Sequence, residues 1–485
     1  MNKINQTFEL LNNSVSPFVK SGKTYCVGLS GGSDSVLLLH VLKKLSLNEA
    51  FRIIALHMNH SLRDNESDTD AAFCEEICKK LDIELIFKKI DVKKLAVENK
   101  LSIEDAARKC RYKWFAEICE KLDADSVFIA HHADDQAETV LLRLFRGAGL
   151  KGLAGMKKET FFGKLKIVRP WLDIPRNILD NVIKEMKLEY RYDSSNSDTH
   201  FDRNWLRHNL IPVLNEHFKS DVKKRLIRTS AVTAEAHDYI TQQSKEVLYK
   251  HSRKSLLGNL FPLEVFKGLH PTVQNTILML MLEENNSEKT QYSYNSIIKL
   301  KKFVLSSSLH CPLQLSKTIS IGKAYNHLFV GTKKSFNIKN TKIKIGGSFT
   351  TESGLTISIE PVKLRGESIS SNGEAWKKFA LGCKTEMVQF ASIPKKNSIF
   401  NIRSRKNGDR YTPIHGKESK IKDLFITAHI PQQIKNAIPV IELNDEIVWL
   451  SGWRIANKFR VSDMQADSQD VVMKVKCRFY ARGMK

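Results

Sequence analysis

The chain has 485 residues, 42% of them hydrophobic, so it is long enough to bury several cores. Its 77 Lys and Arg against 53 Asp and Glu leave a formal net charge of +24, which favours a polyanionic partner through phosphate neutralisation and counterion release. The eight cysteines include no Cys-x-x-Cys pair, so we expect no zinc-ribbon chemistry. The start lacks an apolar signal core, and no segment of membrane-spanning length is free of charge. We therefore expect a reduced, cytoplasmic protein without a membrane partner.

The first third of the chain alternates short apolar segments with amphipathic ones. Strands are predicted at 25–29, 51–57, 84–90 and 126–130, and helices at 36–45, 67–81, 103–122 and 134–145. Such alternation indicates an α/β fold with a parallel, doubly wound sheet. Ligands bind these sheets beyond the carboxyl ends of the strands, which is where three polar motifs of this chain fall.

The rest of the chain has a looser pattern. Helices are predicted at 221–250 and 271–284, and β character begins at about 329, with alternating strands at 342–345 and 356–360. A serine- and glycine-rich stretch at 368–373 is typical of a linker, and 400–461 is predicted to form a last compact unit.

The segment Ser30-Gly-Gly-Ser-Asp-Ser35 joins the first predicted strand to the first predicted helix. Its two glycines let backbone N–H groups approach a ligand, its serines add donors, and the helix N-terminus attracts an anion. No lysine follows Gly32, which excludes a Walker A loop. A carboxylate at Asp34 would repel phosphate unless Mg²⁺ lies between them, so we predict a pyrophosphate site with Asp34 near the metal. The alternative is a Gly-Ser turn of an ordinary α/β unit.

Two further motifs follow strands of the same predicted sheet. His57 and Met58 come at the end of the second strand, and the stretch 131–139 ends the fourth strand and opens a helix. In that helix Asp135 and Glu138 lie at i and i+3 on one face, where they suit an ammonium group. Two alternatives stay open: carboxylates that only complement the helix dipole, and a metal cluster of His131, His132, Asp134 and Asp135.

Arginines are candidates for neutralising phosphate charge. Arg108 and Arg111 lie one turn apart on the helix predicted at 103–122, and either suits a phosphate under transfer, although a solvated basic face has the same spacing. The Asx- and Ser-rich loop 193–198 leads to Arg203, Asn204 and Arg207. This second segment is interpreted as a nucleic-acid or phosphate contact, or as a capped helix with surface arginines.

Basic residues interleaved with aromatic ones characterise the last unit. This composition favours a surface that meets phosphates and stacks bases, and a solvated basic face is the alternative. The candidate contacts are Arg403, Arg405, Arg410, Lys420, Lys422 and Arg454.

Ser-Gly-Gly-x-Asp-Ser resembles the PP-loop of the ATP pyrophosphatases, which cut ATP between its α- and β-phosphates. Other motifs are more specific, and through them nearly the whole chain resembles the tRNA(Ile)-lysidine synthetase family. These motifs are 131–139, 193–196, Arg203-Asn204, and 408–410 leading to 420–425. The resemblance implies a PP-loop, HUP-like parallel sheet, then a mainly helical domain and a small α+β C-terminal domain. The implied bounds are 1–218 for a catalytic domain, 219–335 for a mainly helical tRNA-binding domain, 336–395 for a β-rich connecting region, and 396–485 for a C-terminal tRNA-recognition domain.

The resemblance also implies a two-step reaction. The wobble cytidine of an isoleucine tRNA with anticodon CAU attacks the α-phosphate of ATP through its C2 oxygen and displaces pyrophosphate. The ε-amine of free L-lysine then attacks C2 and expels AMP, which leaves lysidine. ATP, Mg²⁺, this tRNA and free lysine are thus the implied cofactors and partners, and a homodimer is left open. The rivals are a tRNA thiolase of the same superfamily, which the lack of paired cysteines disfavours, and a tRNA-binding protein with a vestigial ATP site.

The resemblance assigns roles to the motif residues. ATP binding is expected at Ser30, Gly31, Gly32, Ser33, Asp34, Ser35, His57 and Met58, whose segment would lie against the adenine and sugar. Catalysis is expected from Asp34, Arg108, Arg111 and Asp135, lysine binding from Asp135 and Glu138, and metal binding from Asp34. Binding of tRNA is expected at Arg203, Asn204 and Arg207, together with the six basic residues of the last unit.

Overall fold

A computed structural model describes residues 3–59, 64–192, 202–285, 292–306, 312–316, 318–332, 336–362, 373–381, 383, 385–393, 398–461 and 471–479. The chain divides into two compact units, Met1–Asp238 and Tyr239–Lys485. Within the described ranges, no helix combines the length and the apolar character needed to span a membrane.

The first unit is built on one six-stranded sheet in the order β3-β2-β1-β4-β6-β5. Its strands are β1 (Thr24–Gly28), β2 (Arg52–Asn59), β3 (Glu84–Lys89), β4 (Ser126–Phe128), β5 (Glu159–Phe162) and β6 (Leu165–Val168). Its helices are α1 (Lys3–Val15), α2 (Ser33–Glu49), α3 (Asp64–Lys80), α4 (Val92–Asn99), α5 (Ile103–Lys121), α6 (Ala133–Phe145), α7 (Leu150–Leu153), α8 (Arg176–Glu185), α9 (Asp202–Trp205) and α10 (Ile211–Phe218). All neighbours pair in parallel except β5, which pairs antiparallel with β6.

Apolar residues on both faces of this sheet explain the doubly wound arrangement, because helices must cover each face. On one face α2 buries a continuous row that includes Val36, Leu38 and Leu42. On the other face α5 packs Trp114 and Phe115. The parallel register then brings the carboxyl ends of β1, β2 and β4 to one edge, where the polar motifs follow them.

A long helix, α11 (Val222–His251), runs across the boundary between the units in sequence, and the second unit is mixed. Its further helices are α12 (Leu263–Gly268), α13 (Pro271–Asn285), α14 (Tyr294–Leu305), α15 (Glu374–Ala380) and α16 (Ile421–Thr427). Its strands are β7 (Arg253–Ser255), β8 (Gly258–Pro262), β9 (Leu313–Gln314), β10 (Ile319–Ala324), β11 (His327–Thr332), β12 (Thr341–Lys344), β13 (Ser348–Thr350), β14 (Leu355–Pro361), β15 (Thr385–Ile393), β16 (Ile399–Arg403), β17 (Arg410–Tyr411), β18 (Ser419–Lys420), β19 (Val440–Leu443), β20 (Glu446–Leu450) and β21 (Val471–Phe479).

These strands form a five-stranded sheet, β7-β8-β11-β10-β9, two four-stranded sheets, β12-β16-β19-β20 and β13-β14-β21-β15, and the pair β17-β18. The predicted fold class is confirmed: a doubly wound parallel sheet is followed by helices and by an α+β region of antiparallel sheets. The five-stranded sheet is an addition that the sequence did not predict, and it lies in the segment expected to be mainly helical. A core with buried Trp376 and Trp449 holds the C-terminal sheets, and each indole N–H donates to a backbone carbonyl.

Candidate active site

A cavity of about 580 Å³ lies at the carboxyl edge of the parallel sheet. Residues from all three predicted motifs line it, and its volume falls in the range of small-molecule sites. The predicted site residues among its lining are Ser30, Gly32, Ser33, Asp34, Ser35, His57, Met58, Arg111, Asp135 and Arg207. The structure therefore brings together most of the predicted ATP and lysine residues.

The loop between β1 and α2 is held by its own serines. The Ser30 N–H donates to Ser35 Oγ at 3.1 Å, Ser35 Oγ donates to the Gly32 carbonyl at 2.9 Å, and the Gly32 N–H donates to Ser30 Oγ at 3.3 Å. Gly31 has φ +87°, a left-handed conformation that favours glycine. The loop is consequently wound tightly around the N-terminus of α2, with Gly32 as its N-cap.

Asp34 lies in the first turn of α2 and is already paired on one side. Its Oδ2 accepts from Arg176 Nη1 at 2.9 Å and lies 3.8 Å from His132 Nε2. Burial raises the pKa of Asp34, while the charges of Arg176 and His132 act in the opposite direction. Its Oδ1 is buried and has no hydrogen-bond partner among the described residues. A hard cation such as Mg²⁺ fits this free carboxylate oxygen.

The two histidines that follow β4 have different surroundings. Burial lowers the pKa of His131 to about 3, so its ring is neutral, and Nδ1 accepts from Arg169 Nε at 3.1 Å. His132 caps α6, since its Nδ1 accepts from the Asp134 N–H at 3.2 Å. The His132 Nε2 lies 3.5 Å from Asp135 Oδ2, between that carboxylate and Asp34.

Asp135 and Glu138 share a helical face, as the sequence predicted, yet their surroundings differ. Burial alone would raise the pKa of Asp135, but the two histidines, the His132 N–H and Arg203 hold it at about 2. Asp135 lines the cavity as a carboxylate. Glu138 is fully buried, and both its oxygens accept from Arg207, at 2.7 and 3.1 Å.

An arginine-rich wall lies beside these carboxylates. Arg108 and Arg111 both stand over the ring of Tyr112, at 5.4 and 5.6 Å from its centroid. Burial lowers the pKa of Arg111, and the neighbouring charges of Arg108 and Arg203 act in the same direction. Because like charges are gathered here, the wall suits an anion.

His57 and Met58 are buried at the end of β2 and line the cavity. The Leu29 carbonyl lies 2.9 Å from His57 Nδ1, and the imidazole stacks on Phe87 at 5.8 Å. The ring is thereby fixed next to the Ser30–Ser35 loop, at the sheet edge where a nucleotide would lie.

The nine predicted tRNA-binding residues are divided between the two units of the chain. Arg203 and Arg207 lie by Glu138 and Asn204 is half-buried nearby in sequence, whereas the other six belong to the second unit. Four of those six are exposed and one is half-buried: Arg410, Lys420, Lys422 and Arg454 are exposed, and Arg405 is half-buried.

Arg403 departs from the expected exposure. It is 5% exposed, and its guanidinium donates to both oxygens of Asp409, at 2.8 and 3.0 Å, and to Glu442. A guanidinium enclosed in this way is part of the core rather than of the surface, so Arg403 is not accessible to a nucleic acid in this structure.

The sequence interpretation missed Arg176, which lines the cavity, and also Arg169 and Lys223, which contact His131 and Asp134. Arg176 opens α8, Arg169 follows β6, and Lys223 pairs with Asp134 from the start of α11. Since each meets its partner across a long sequence separation, no local motif signals it. The predicted loop 193–196 lies outside the described residues. Within the described part of the chain no group of three or more His, Cys, Asp or Glu is placed to hold a metal, so the alternative of a histidine–aspartate metal cluster finds no support.

Two family models match separate parts of this chain. The PP-loop domain family matches residues 2–214, and the TilS substrate C-terminal domain family matches residues 400–471. A tRNA(Ile)-lysidine synthase of Clostridium tetani is 30% identical over 454 residues, which cover 91% of this chain and 92% of that protein. One of Clostridioides difficile is 30% identical over 450 residues, 92% of this chain and 94% of that protein.

Among solved structures, the U34-tRNA thiolase NcsA from Methanococcus maripaludis is similar with a TM-score of 0.40 and 19% identity, over 48% of this chain and 78% of that one. The sequence similarity to the two curated synthases extends over nearly the full length of each protein. The chain therefore belongs to the tRNA(Ile)-lysidine synthase family of PP-loop enzymes.

Proposed function

We propose that this enzyme joins free L-lysine to C2 of the wobble cytidine of the isoleucine tRNA with anticodon CAU, with ATP as the energy source. The observation that supports this most is that one cavity is lined both by the Ser30–Ser35 loop and by the carboxylate of Asp135. The first feature suits a pyrophosphate group and the second suits an ammonium group. A ligase that activates a carbon of its substrate with ATP and then adds an amine there needs both binding groups close to that carbon.

In the proposed first step the cytidine C2 oxygen attacks the α-phosphate of ATP, an O–P bond forms, and the bond to pyrophosphate breaks. Backbone N–H groups and serine hydroxyls of the Ser30–Ser35 loop would hold the leaving pyrophosphate. Arg111, which lines the cavity, would offset charge at the α-phosphate, with Arg108 beside it. Asp34 would hold Mg²⁺ through its free Oδ1, where the ion neutralises phosphate charge.

In the proposed second step the ε-amine of lysine attacks C2, the C2–O bond breaks, and AMP leaves. Asp135 would grip the lysine as a carboxylate facing the cavity, and it or a water must take a proton from the ammonium before attack. Glu138 would act differently from the direct contact expected from the sequence: fully buried, it orients Arg207 toward the same cavity.

The tRNA would be bound through phosphate contacts. Exposed basic residues of the C-terminal region, Arg410, Lys420, Lys422 and Arg454, supply such contacts, and Arg203 and Arg207 would meet the RNA at the active site. We propose the same domain roles as the resemblance implies, with catalysis in 1–218, tRNA binding in 219–335, a connection at 336–395, and tRNA recognition in 396–485. A cytoplasmic location suits both substrates.

A tRNA thiolase is the nearest enzymatic rival, and the cysteines weigh against it. Cys74 lies behind the loop, with Sγ 3.4 Å from His57 Nδ1, but burial raises the pKa of Cys74 to about 12. A protonated thiol is a poor nucleophile.

Labelled lysine tests the proposal. The full chain is incubated with ATP, Mg²⁺, labelled L-lysine and the CAU-anticodon isoleucine tRNA. Lysine-dependent label in the tRNA, with release of AMP and pyrophosphate, is the expected result. Folded protein that binds this tRNA but transfers no lysine would contradict the proposal, and sulfur transfer in its place would support the thiolase.

A further inference from the structure

Arg176 contacts the side chains of two residues of the Ser30–Ser35 loop. Its Nη1 donates to Asp34 Oδ2 at 2.9 Å and its Nη2 donates to Ser33 Oγ at 3.1 Å. A third bond runs from Nε to Asp180 Oδ1 at 3.1 Å. The backbone is fixed as well, because the Arg176 N–H donates to Asp134 Oδ1 at 3.2 Å. The guanidinium thus lies at the N-terminus of α2, inside the cavity lining.

This placement conflicts with a metal at Asp34 unless the arginine changes partner. A divalent cation on Asp34 Oδ1 and a guanidinium on Asp34 Oδ2 would share one carboxylate and repel each other. Nucleotide phosphates remove that conflict, since a guanidinium binds phosphate oxygens through the same planar fork that it uses for a carboxylate. Asp180 keeps its hold on Nε, so the outer nitrogens can leave Asp34 while the side chain stays at the loop.

We propose that Arg176 is a phosphate-binding residue of the nucleotide site: it neutralises Asp34 before ATP binds and turns to the β- and γ-phosphates, the future pyrophosphate, when Mg²⁺ takes Asp34. This rests on the proposed use of ATP and adds a residue to it. The arginine thereby stabilises the same loop in both states, because one positive charge always faces the negative group present.

The affinity for pyrophosphate, measured without metal, shows whether Arg176 binds phosphate or serves only as a counter-ion to Asp34. Calorimetry is done on the full chain with inorganic pyrophosphate and a chelator, for the wild type, Arg176→Met, Asp34→Asn and the double variant. Asp34→Asn should bind pyrophosphate more tightly than the wild type, since a competing carboxylate is gone. The double variant should lose about tenfold or more relative to Asp34→Asn, as expected for a lost charge-assisted bond.

The matched control is Arg52→Met, an arginine that pairs with Glu84 at the opposite end of the sheet and should leave pyrophosphate binding unchanged. Arg176→Lys keeps the charge but lacks the planar guanidinium, so its pyrophosphate affinity should lie between those of the wild type and Arg176→Met. Melting curves verify that each variant is folded. Equal binding by Asp34→Asn and the double variant would overturn the proposal. A wild type that binds pyrophosphate and ATP but transfers no lysine would overturn the proposed function and leave this test intact.

Discussion

At the scale of single residues, the carboxylates of Asp135 and Glu138 on α6 have separate environments. Asp135 faces the cavity and its pKa is held at about 2, whereas Glu138 is enclosed by arginines. The spacing i, i+3 predicted that they share a face, and it could not predict that only one of them opens to the cavity. That difference depends on Arg203 and Arg207, which come from a later segment of the chain.

Asp135→Asn should lower the rate of lysine transfer by roughly 10- to 100-fold, because a charge-assisted bond to the ammonium is weakened. Pyrophosphate release in single-turnover experiments should change much less. Asp173→Asn is the matched control, because exposed Asp173 pairs with Lys158 and does not line the cavity. Equal losses in both steps for Asp135→Asn would contradict the assignment.

His131 should stay neutral throughout the physiological range. Its pKa is lowered to about 3 by burial, with Arg169 and Arg111 contributing, so protonation belongs to acid conditions only. Nitrogen NMR shifts of labelled histidine, assigned with the variant His131→Gln, should show no titration between about pH 5 and 8, where an ordinary histidine titrates. A midpoint in that interval would show that the ring is more exposed to solvent than described here.

At the scale of elements, the sequence predicted those strands and helices whose apolar residues recur at regular spacing. The strands β1 to β4 and their helices have clear apolar patterns, so their existence and the sheet edge at which the polar motifs meet could be predicted. The sheet β7-β8-β11-β10-β9 could not, because several of its strands have only two to five residues. Nor could the bond between Arg176 and Asp34, which joins residues separated by 142 positions.

Gly31→Ala should strain the Ser30–Ser35 loop. An L-residue at φ +87° costs about 1–2 kcal/mol, and the added Cβ would also touch Cys74 Sγ at 3.4 Å. Urea unfolding should show a loss of that size. Gly32→Ala is the control, since Gly32 has φ −73° and open space around its Cβ apart from Ser30 Oγ at 3.5 Å. If the two variants were equally stable, the assignment of a left-handed conformation to Gly31 would be wrong.

Arg403 should contribute to stability rather than to RNA binding. Arg403→Met leaves Asp409 and Glu442 as unpaired buried carboxylates, and breaking such a pair costs about 3–5 kcal/mol. Arg410→Met removes only an exposed pair with Glu418, so its stability should change by less than about 1 kcal/mol while tRNA binding weakens. Urea unfolding measures the stability of each variant, and titration with tRNA measures its affinity. Unchanged stability of Arg403→Met would contradict the assignment of Arg403 to a buried ion-pair network.

At the scale of the whole molecule, the net charge of +24 has to act through particular surfaces. Replacing Arg410, Lys420 and Lys422 with glutamine should weaken tRNA binding and reduce the slope of log Kd against log salt by about 2–3, if each contacts one phosphate. The same replacement of exposed Lys79, Lys121 and Lys164 should leave the slope nearly unchanged. Equal effects of the two triple variants would mean that the charge acts only diffusely.

The central claim is that one cavity activates a tRNA base with ATP and then adds lysine to it. Mass spectrometry of the isoleucine tRNA after reaction measures this most directly, because digestion isolates the wobble nucleoside. We predict a mass gain equal to lysine minus water, confined to the wobble cytidine and dependent on both ATP and lysine. An unmodified wobble cytidine after incubation with folded, tRNA-binding protein, or a mass gain at another nucleoside, would contradict the account.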